Sequence, residues 1–243
     1  MKINKSNKFT VGWTPYTSTQ TQNLMKHSWP DTVFFEPEPV APLIVSRDTH
    51  YTKCPAIADY YRNTFLIRSP FDLTINFDRA TESVGTDRFD NEFFFEYIQP
   101  RFGDFGPNSR AMLTVRAEYL FVADEDCVIE SMPCSLMSTP LLQNTLLIPG
   151  TFNFHRWPRP VDFSFEIIDD KQPLVFKRGD PLFFVKFTPK NGGNVQMKRI
   201  DITPTLRRVT DSVRSSRDIV PGKNLAYRYE MAKHILFGRK WLD

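Results

Sequence analysis

Apolar and polar residues alternate one for one along several short stretches of this chain. Phe71, Leu73, Ile75 and Phe77 alternate with Asp72, Thr74, Asn76 and Asp78; Val161, Phe163, Phe165 and Ile167 alternate with Asp162, Ser164 and Glu166. Successive residues of a strand point to opposite faces, so each stretch has one apolar and one polar side. That pattern predicts antiparallel strands packed on a single core. With the turn residues between them, strands are predicted at 33–36, 43–46, 64–68, 71–77, 93–99, 112–122, 127–132, 146–147, 151–155, 161–168, 174–177 and 182–188. A brief helix is expected over 54–63, with Pro55 in its first turn, where a missing N–H costs nothing. Short strands at such regular spacing indicate an all-β protein, an antiparallel β-sandwich or jelly-roll-like barrel.

The two ends differ from this middle. Residues 1–42 contain a polar run at 17–22 and then Pro30, Pro37, Pro39 and Pro42, which favour an extended, Pro-rich N-terminal arm. The β-core is expected over 43–190. Within it, 79–90 is charged and holds Gly85, while 100–110 holds two glycines and two prolines, so both are expected to be loops. Residues 191–243 read as a basic helical extension. Thr203-Pro204 supplies a cap and a proline at the first helical position, and Leu206, Val209 and Val213 form a thin apolar stripe. After Pro221-Gly222 a second stripe follows at Leu225, Tyr229, Ala232 and Leu236.

Composition sharpens the picture in three places. The 243 residues include 22 phenylalanines against 10 glycines, and many of the former sit at alternating strand positions, where wide flat rings fill the space between sheets. The net charge of +3 is too small for a chain-wide nucleic-acid surface, yet the segment from Lys198 onward alone carries +6. Arg207, Arg208, Arg214, Arg217 and Arg228 belong to that tail, which is expected to dock on a protein partner or, as the second choice, on nucleic-acid phosphates. The three cysteines, Cys54, Cys127 and Cys134, lack metal-site spacing and suit reduced thiols. An apolar signal segment and an 18-residue apolar run are both missing from the sequence, so the expected location is the cytoplasm of a host cell or a virion, without membrane contact.

Candidate chemistry concentrates in Phe154-His155-Arg156-Trp157-Pro158-Arg159-Pro160. Two arginines, a histidine and a tryptophan are suited to gripping a carboxylate, a phosphate or a sugar ring by forked hydrogen bonds and stacking. His155, Arg156, Trp157 and Arg159, with the strand carboxylates Asp162 and Glu166, are therefore the candidate binding residues. The competing expectation is a hairpin corner in which Trp157 packs on the sheet and the arginines face water. His27, His50, His155 and His234 are scattered, so neither a metal nor any other cofactor is predicted. Ser135, Ser138 and Thr139 lack a nucleophile elbow, and Arg178-Gly179-Asp180 reads as a tight turn between strands.

Two resemblances bear on function. Leu147–Phe152 and Lys177–Leu182 resemble strand starts of trimeric nucleotide deaminases and dUTP pyrophosphatases, although the arginine-serine-serine phosphate loop of those enzymes is absent from the expected interval and Phe184 stands where they carry glutamine. The segments CPAIADYYRNTFLIRSPFDLTI, IPGTFNFHRWPRPVDFSFEI and FKRGDPLFFVKF resemble an uncharacterised protein family encoded by marine tailed phages. That second resemblance implies a setting and no catalytic residues. The expected function is a non-enzymatic interaction or assembly protein, virion-associated or host-directed, working as a homo-oligomer or with a protein partner. The alternative is a small-ligand-binding or catalytic barrel for a nucleotide or an acid.

Overall fold

The computed structural model describes residues 8–16, 32–45, 53–78, 81, 83–86, 98–101 and 110–219. Among these residues strands far outnumber helical positions, and they are arranged in several largely antiparallel sheets. The longest strands follow the alternating segments. β7 (Met112–Val122), β8 (Cys127–Met132), β11 (Pro160–Ile167) and β13 (Pro181–Pro189) carry the core, and β3 (Thr64–Arg68) matches its predicted bounds.

A six-stranded sheet runs in the order β14 (Asn194–Arg199), β1 (Lys8–Pro15), β7, β11, β9 (Thr145–Leu147), with β6 (Ile98–Arg101) also paired to β7. A five-stranded sheet runs β10 (Gly150–Asn153), β8, β13, β3, β2 (Glu38–Pro39). A small third sheet joins β12 (Leu174–Phe176), β4 (Leu73–Asp78) and β5 (Ser83–Thr86).

One apolar core collects the inward residues of all three sheets, including Val115 and Phe163 from the first, Phe183 and Ile129 from the second, and Ile75 and Phe176 from the third. Phenylalanine fills it as the composition suggests. Phe163 stacks on Phe183 with ring centres 5.7 Å apart, and Phe187 meets the edges of Phe65, Phe121 and Phe154 at 5.2–5.8 Å.

The outer faces of the two large sheets each receive a helix. α4 (Pro204–Ile219) buries Leu206, Val209 and Val213 against Tyr16, Leu120, Val122 and Trp157. Its start follows the predicted cap: the Thr203 hydroxyl accepts the Leu206 N–H at 3.1 Å, with Pro204 first in the helix. On the second sheet, α1 (Val40–Val45) buries Val40 and Ile44, four positions apart, against Leu66, Met132 and Phe184. α2 (Pro55–Tyr60) is the predicted short helix, and α3 (Pro140–Gln143) is capped by the Thr139 hydroxyl at 3.2 Å.

Several expectations are overturned. Residues 8–15, assigned by sequence to an extended arm, form a strand inside the largest sheet, with Val11 and Trp13 fully buried. The apolar positions Phe9, Val11 and Trp13 alternate as a strand requires, and the later prolines masked that signal. Residues 43–45, predicted as strand, are helical because Val40 and Ile44 must reach one surface; Pro42 falls in the first turn, where no N–H is needed. No strand forms over 33–36. There the Val33 N–H donates to the Pro70 carbonyl and the Phe35 N–H to the Tyr119 hydroxyl, and pairing begins at Glu38. β5 occupies part of the predicted loop 79–90, β6 extends past the predicted end of its strand into Pro100 and Arg101, and β14 was not anticipated. The polar run 17–22, Pro30, residues 93–97, most of the connector 100–110, the second apolar stripe and Arg228 lie outside the described residues, as do His27, His50 and His234.

Candidate functional site

The outward face of β7 changes character midway. Before the change it presents Thr114 and Arg116, which are half-buried; after it, Leu120 and Val122, which α4 covers. An irregularity in pairing lies at the boundary. Val161 is opposite Tyr119 while Asp162 is opposite Arg116, so Ala117 and Glu118 bulge from β7 without a facing residue on β11. Glu118 adopts the left-handed backbone conformation there, with φ of 58°, and its side chain is buried. Beside it the Tyr16 hydroxyl donates to the Asp211 carboxylate on α4, and burial followed by that hydrogen bond pushes the phenol far above its ordinary pKa.

The polar half of this face is the floor of a cleft of about 310 Å³. Thr114, Asp162 and Ser164 line it from β7 and β11; Ile148, Pro149, Gly150, Thr151 and Phe152 wall it where the chain crosses from β9 to β10; Ser131, Trp157, Arg159 and Val161 complete it. The crossing segment is held down by the Ile148 N–H, which donates to the Ser164 carbonyl at 2.9 Å. The hydroxyls of Thr114 and Ser164 are 3.0 Å apart, and the Ser131 hydroxyl donates to the Gly150 carbonyl at 3.3 Å.

Arg159 is positioned by two rings. Its guanidinium carbon lies 4.5 Å from the centre of Phe152 and 4.6 Å from that of Trp157. These rings are 5.9 Å apart and inclined at 77°, so they form a corner. A planar guanidinium in that corner lies flat on at most one ring and directs N–H edges at the other. Trp157 is 7% exposed and packs with the residues that α4 covers, which anchors the corner to the body of the protein.

The six predicted binding residues are therefore divided. Trp157, Arg159 and Asp162 meet in the cleft. His155 and Arg156 belong to the turn after β10 and serve it. The Nδ1 of His155 is 2.8 Å from the Ala123 carbonyl, so that nitrogen carries the proton and donates. Arg156 makes a two-pronged contact with Asp126, Nε to Oδ1 at 3.0 Å and Nη2 to Oδ2 at 2.8 Å. Those hydrogen bonds hold the Asp126 carboxyl below its ordinary pKa. Glu166 shares the polar face of β11 but lies outside the cleft, where it pairs with Arg110 at 3.4 Å. The hydroxyls of Thr114, Ser131 and Ser164 were not among the candidates; the alternation that put Ser164 beside Asp162 was the available signal.

Of the basic tail, Arg208 is exposed and Arg207 is half-buried on α4, close enough to favour the ionised form of Tyr16. The side chains of Arg214 and Arg217 lie outside the described ones. A larger hollow of about 540 Å³ opens between Phe35–Pro39 and β14, but Arg68 within it is already bonded to Glu38 at 2.7 Å and to the Gly179 carbonyl at 2.9 Å. Cys54 is exposed and Cys127 and Cys134 are buried free thiols. Among the described residues no group of three or more His, Cys, Asp or Glu side chains is gathered as for a metal, and no helix is long and apolar enough to cross a membrane. No protein-family model and no curated protein matches this chain, so its function is argued from the geometry alone.

Proposed function

We propose that this protein is a β-sandwich recognition protein that holds a small polar ligand in the cleft on the outer face of β7 and β11. The observation that carries this is Arg159, set by Phe152 and Trp157 beside the half-buried polar face of β11. Ligand sites are concave and hold a few fixed polar groups among apolar ones, and the cleft volume stands at the lower end of their range of about 300–1,000 Å³. Binding is favoured over catalysis because His155, the described imidazole, belongs to the neighbouring turn and is not among the residues that line the cleft. The test is a small-molecule fragment screen followed by amide NMR on the full chain. Shifts clustered on Thr114, Gly150, Trp157 and Asp162 are expected, and a set of hits that perturb none of them would remove the cleft from consideration.

Assembly with further copies is a second reading, favoured by Leu146 on edge strand β9 and Ile168 just past β11, which are 43% and 47% exposed. Light scattering of the wild type and of Leu146→Lys checks it. A defined oligomer that the substitution dissociates supports assembly, and a monomer in both cases rejects it. Deleting residues 1–42 would not serve, because β1 would go with them.

A further inference from the structure

We propose that the free edge of β14 docks an extended peptide of a partner protein, one with apolar residues at every second position and a carboxylate at the end beside Arg199. β14 borders the six-stranded sheet and pairs with β1 alone. The Ile200 N–H donates to the Trp13 carbonyl at 3.0 Å, so even-numbered residues of this stretch turn their backbone groups toward β1 and odd-numbered ones away from it. The first outward pair is occupied. The Asn63 side-chain amide donates to the Gly193 carbonyl and accepts the Val195 N–H, both at 2.9 Å, and so copies two rungs of a ladder. Beyond that point the Val195 carbonyl and the outward groups of Met197 and Arg199 make no hydrogen bond among the described residues. An edge left open in this way is a template for one more strand.

The same edge opens onto the hollow of about 540 Å³, whose apolar lining is Phe35, Pro37, Pro39, Phe65, Val195 and Met197. A strand laid along β14 sends alternate side chains into that hollow, over Val195 and Met197, which pack on the core yet stay half-buried. The opposite border cannot receive the strand in its place, because Pro37 and Pro39 have no N–H to offer. Charge fixes the rest. Arg199 is exposed at the end of the ladder, its guanidinium carbon 5.4 Å from the centre of the Trp13 ring, and it has no acidic partner among the described residues. An arginine set on a ring keeps its forked N–H edges for a carboxylate. Glu36, exposed on the far border of the hollow, repels acids elsewhere along the strand.

A second copy of this chain is a poor occupant. Two β14 edges paired antiparallel about Met197 set Arg199 of one copy opposite Val195 of the other, where Asn63 already stands. Moving the axis one residue on sets Lys198 against Lys198, and one further sets Arg199 against Arg199. Like charges directly opposite one another destabilise a pair of strands.

The experiment is isothermal titration of the full-length protein with short peptides, blocked at both ends, in which valine alternates with threonine. One peptide ends in two aspartates and another begins with them, to cover both strand directions. One of the two is expected to bind. Lysines in place of its aspartates, or Arg199→Met in the protein, should each weaken binding about tenfold or more. A strand pairs through one edge only, so N-methylation of one alternate set of peptide amides should weaken binding about tenfold more than methylation of the other set. Met197→Pro deletes an outward N–H and spares the ladder with β1, and it too should weaken binding about tenfold. The methylated peptides keep the test open should that variant fail to fold. Failure of both peptides to bind overturns the proposal, as does equal binding of the two methylated forms or an affinity unchanged in Arg199→Met. A dimer in light scattering that Met197→Pro dissociates would give the edge to a second copy and overturn it as well.

Discussion

Replacing Arg159 by methionine keeps a stem of similar reach and removes the charge and the planar donor group. In the wild type the guanidinium contacts two rings at 4.5 and 4.6 Å. A cation on an aromatic face contributes about 0.5–1 kcal/mol at exposed sites and about 2 when fully desolvated. Arg159 is half-buried, so each contact belongs near the lower figure and the two together stabilise the fold by about 1–2 kcal/mol. Methionine recovers part of the packing, which places the expected loss near the middle of that interval. For a urea m-value of about 2 kcal/mol/M, the midpoint falls by about 0.5–1 M with the slope unchanged. Trp157→Leu removes one of the rings. In a double-mutant cycle the pair should show a coupling of about 0.5–1 kcal/mol, as groups in direct contact do. Additive losses within 0.3 kcal/mol of zero coupling would show that the rings do not hold Arg159, and the pre-set cation on which the cleft depends would be lost with them.

Three further expectations follow from the packing and the charges. Phe187→Ala removes a 1%-exposed ring that meets three others edge-on, so it should cost about 4–5 kcal/mol by urea denaturation, near the upper end for aromatic truncation; a cost below about 2 would mean the core closes over the gap. The depressed Asp126 carboxyl stabilises the folded state at pH values above its unfolded pKa of 3.8, and that contribution disappears as pH falls below 3.8 through the folded value. The pair is partly exposed, so wild type and Asp126→Asn should differ by about 0.5–1 kcal/mol at neutral pH and converge in acid. Under native conditions iodoacetamide should modify Cys54 alone among the three thiols, because Cys127 and Cys134 are buried and burial raises both, Cys127 up to about 12; mass spectrometry reading two or three adducts would contradict that.

The strands that proved easiest to read are those with one wet and one dry side. β11 alternates along its whole length in sequence and in burial, β8 and the first half of β7 largely do so, and β3, buried on both faces, was legible as a short apolar run. The failures have physical causes. In β1 the alternation is present, with Phe9, Val11 and Trp13 between Thr10, Gly12 and Thr14, but the prolines beyond it suggested an extended arm. β14 offers only Val195 and Met197 on its inner side, too few to tell from a polar loop. Residues 40–45 are short and apolar, and such a stretch satisfies either period; the choice of helix is made by the face of the second sheet that Val40 and Ile44 must cover. For the site, neighbours in sequence were a poor guide. His155 and Arg156 adjoin Trp157 along the chain yet turn toward Ala123 and Asp126, whereas Thr114 and Ser131 come from distant strands that only sheet pairing brings alongside.

β1 lies between β7, to which it is antiparallel, and β14, to which it is parallel, and Lys8 pairs with Asn194 across 186 positions of sequence. A chain leaving the ribosome at about 5–20 residues per second makes its first strand and then waits on the order of 10–40 s for the last. For the first part of that interval β1, with Phe9, Val11 and Trp13, has neither neighbour, and after β7 is made it still lacks β14. Contacts so far apart close slowly, and an unpaired strand is open to pairing with another chain. Completion of the largest sheet is thus a late event that joins strands far apart in sequence, and the nascent protein depends on staying soluble until it happens.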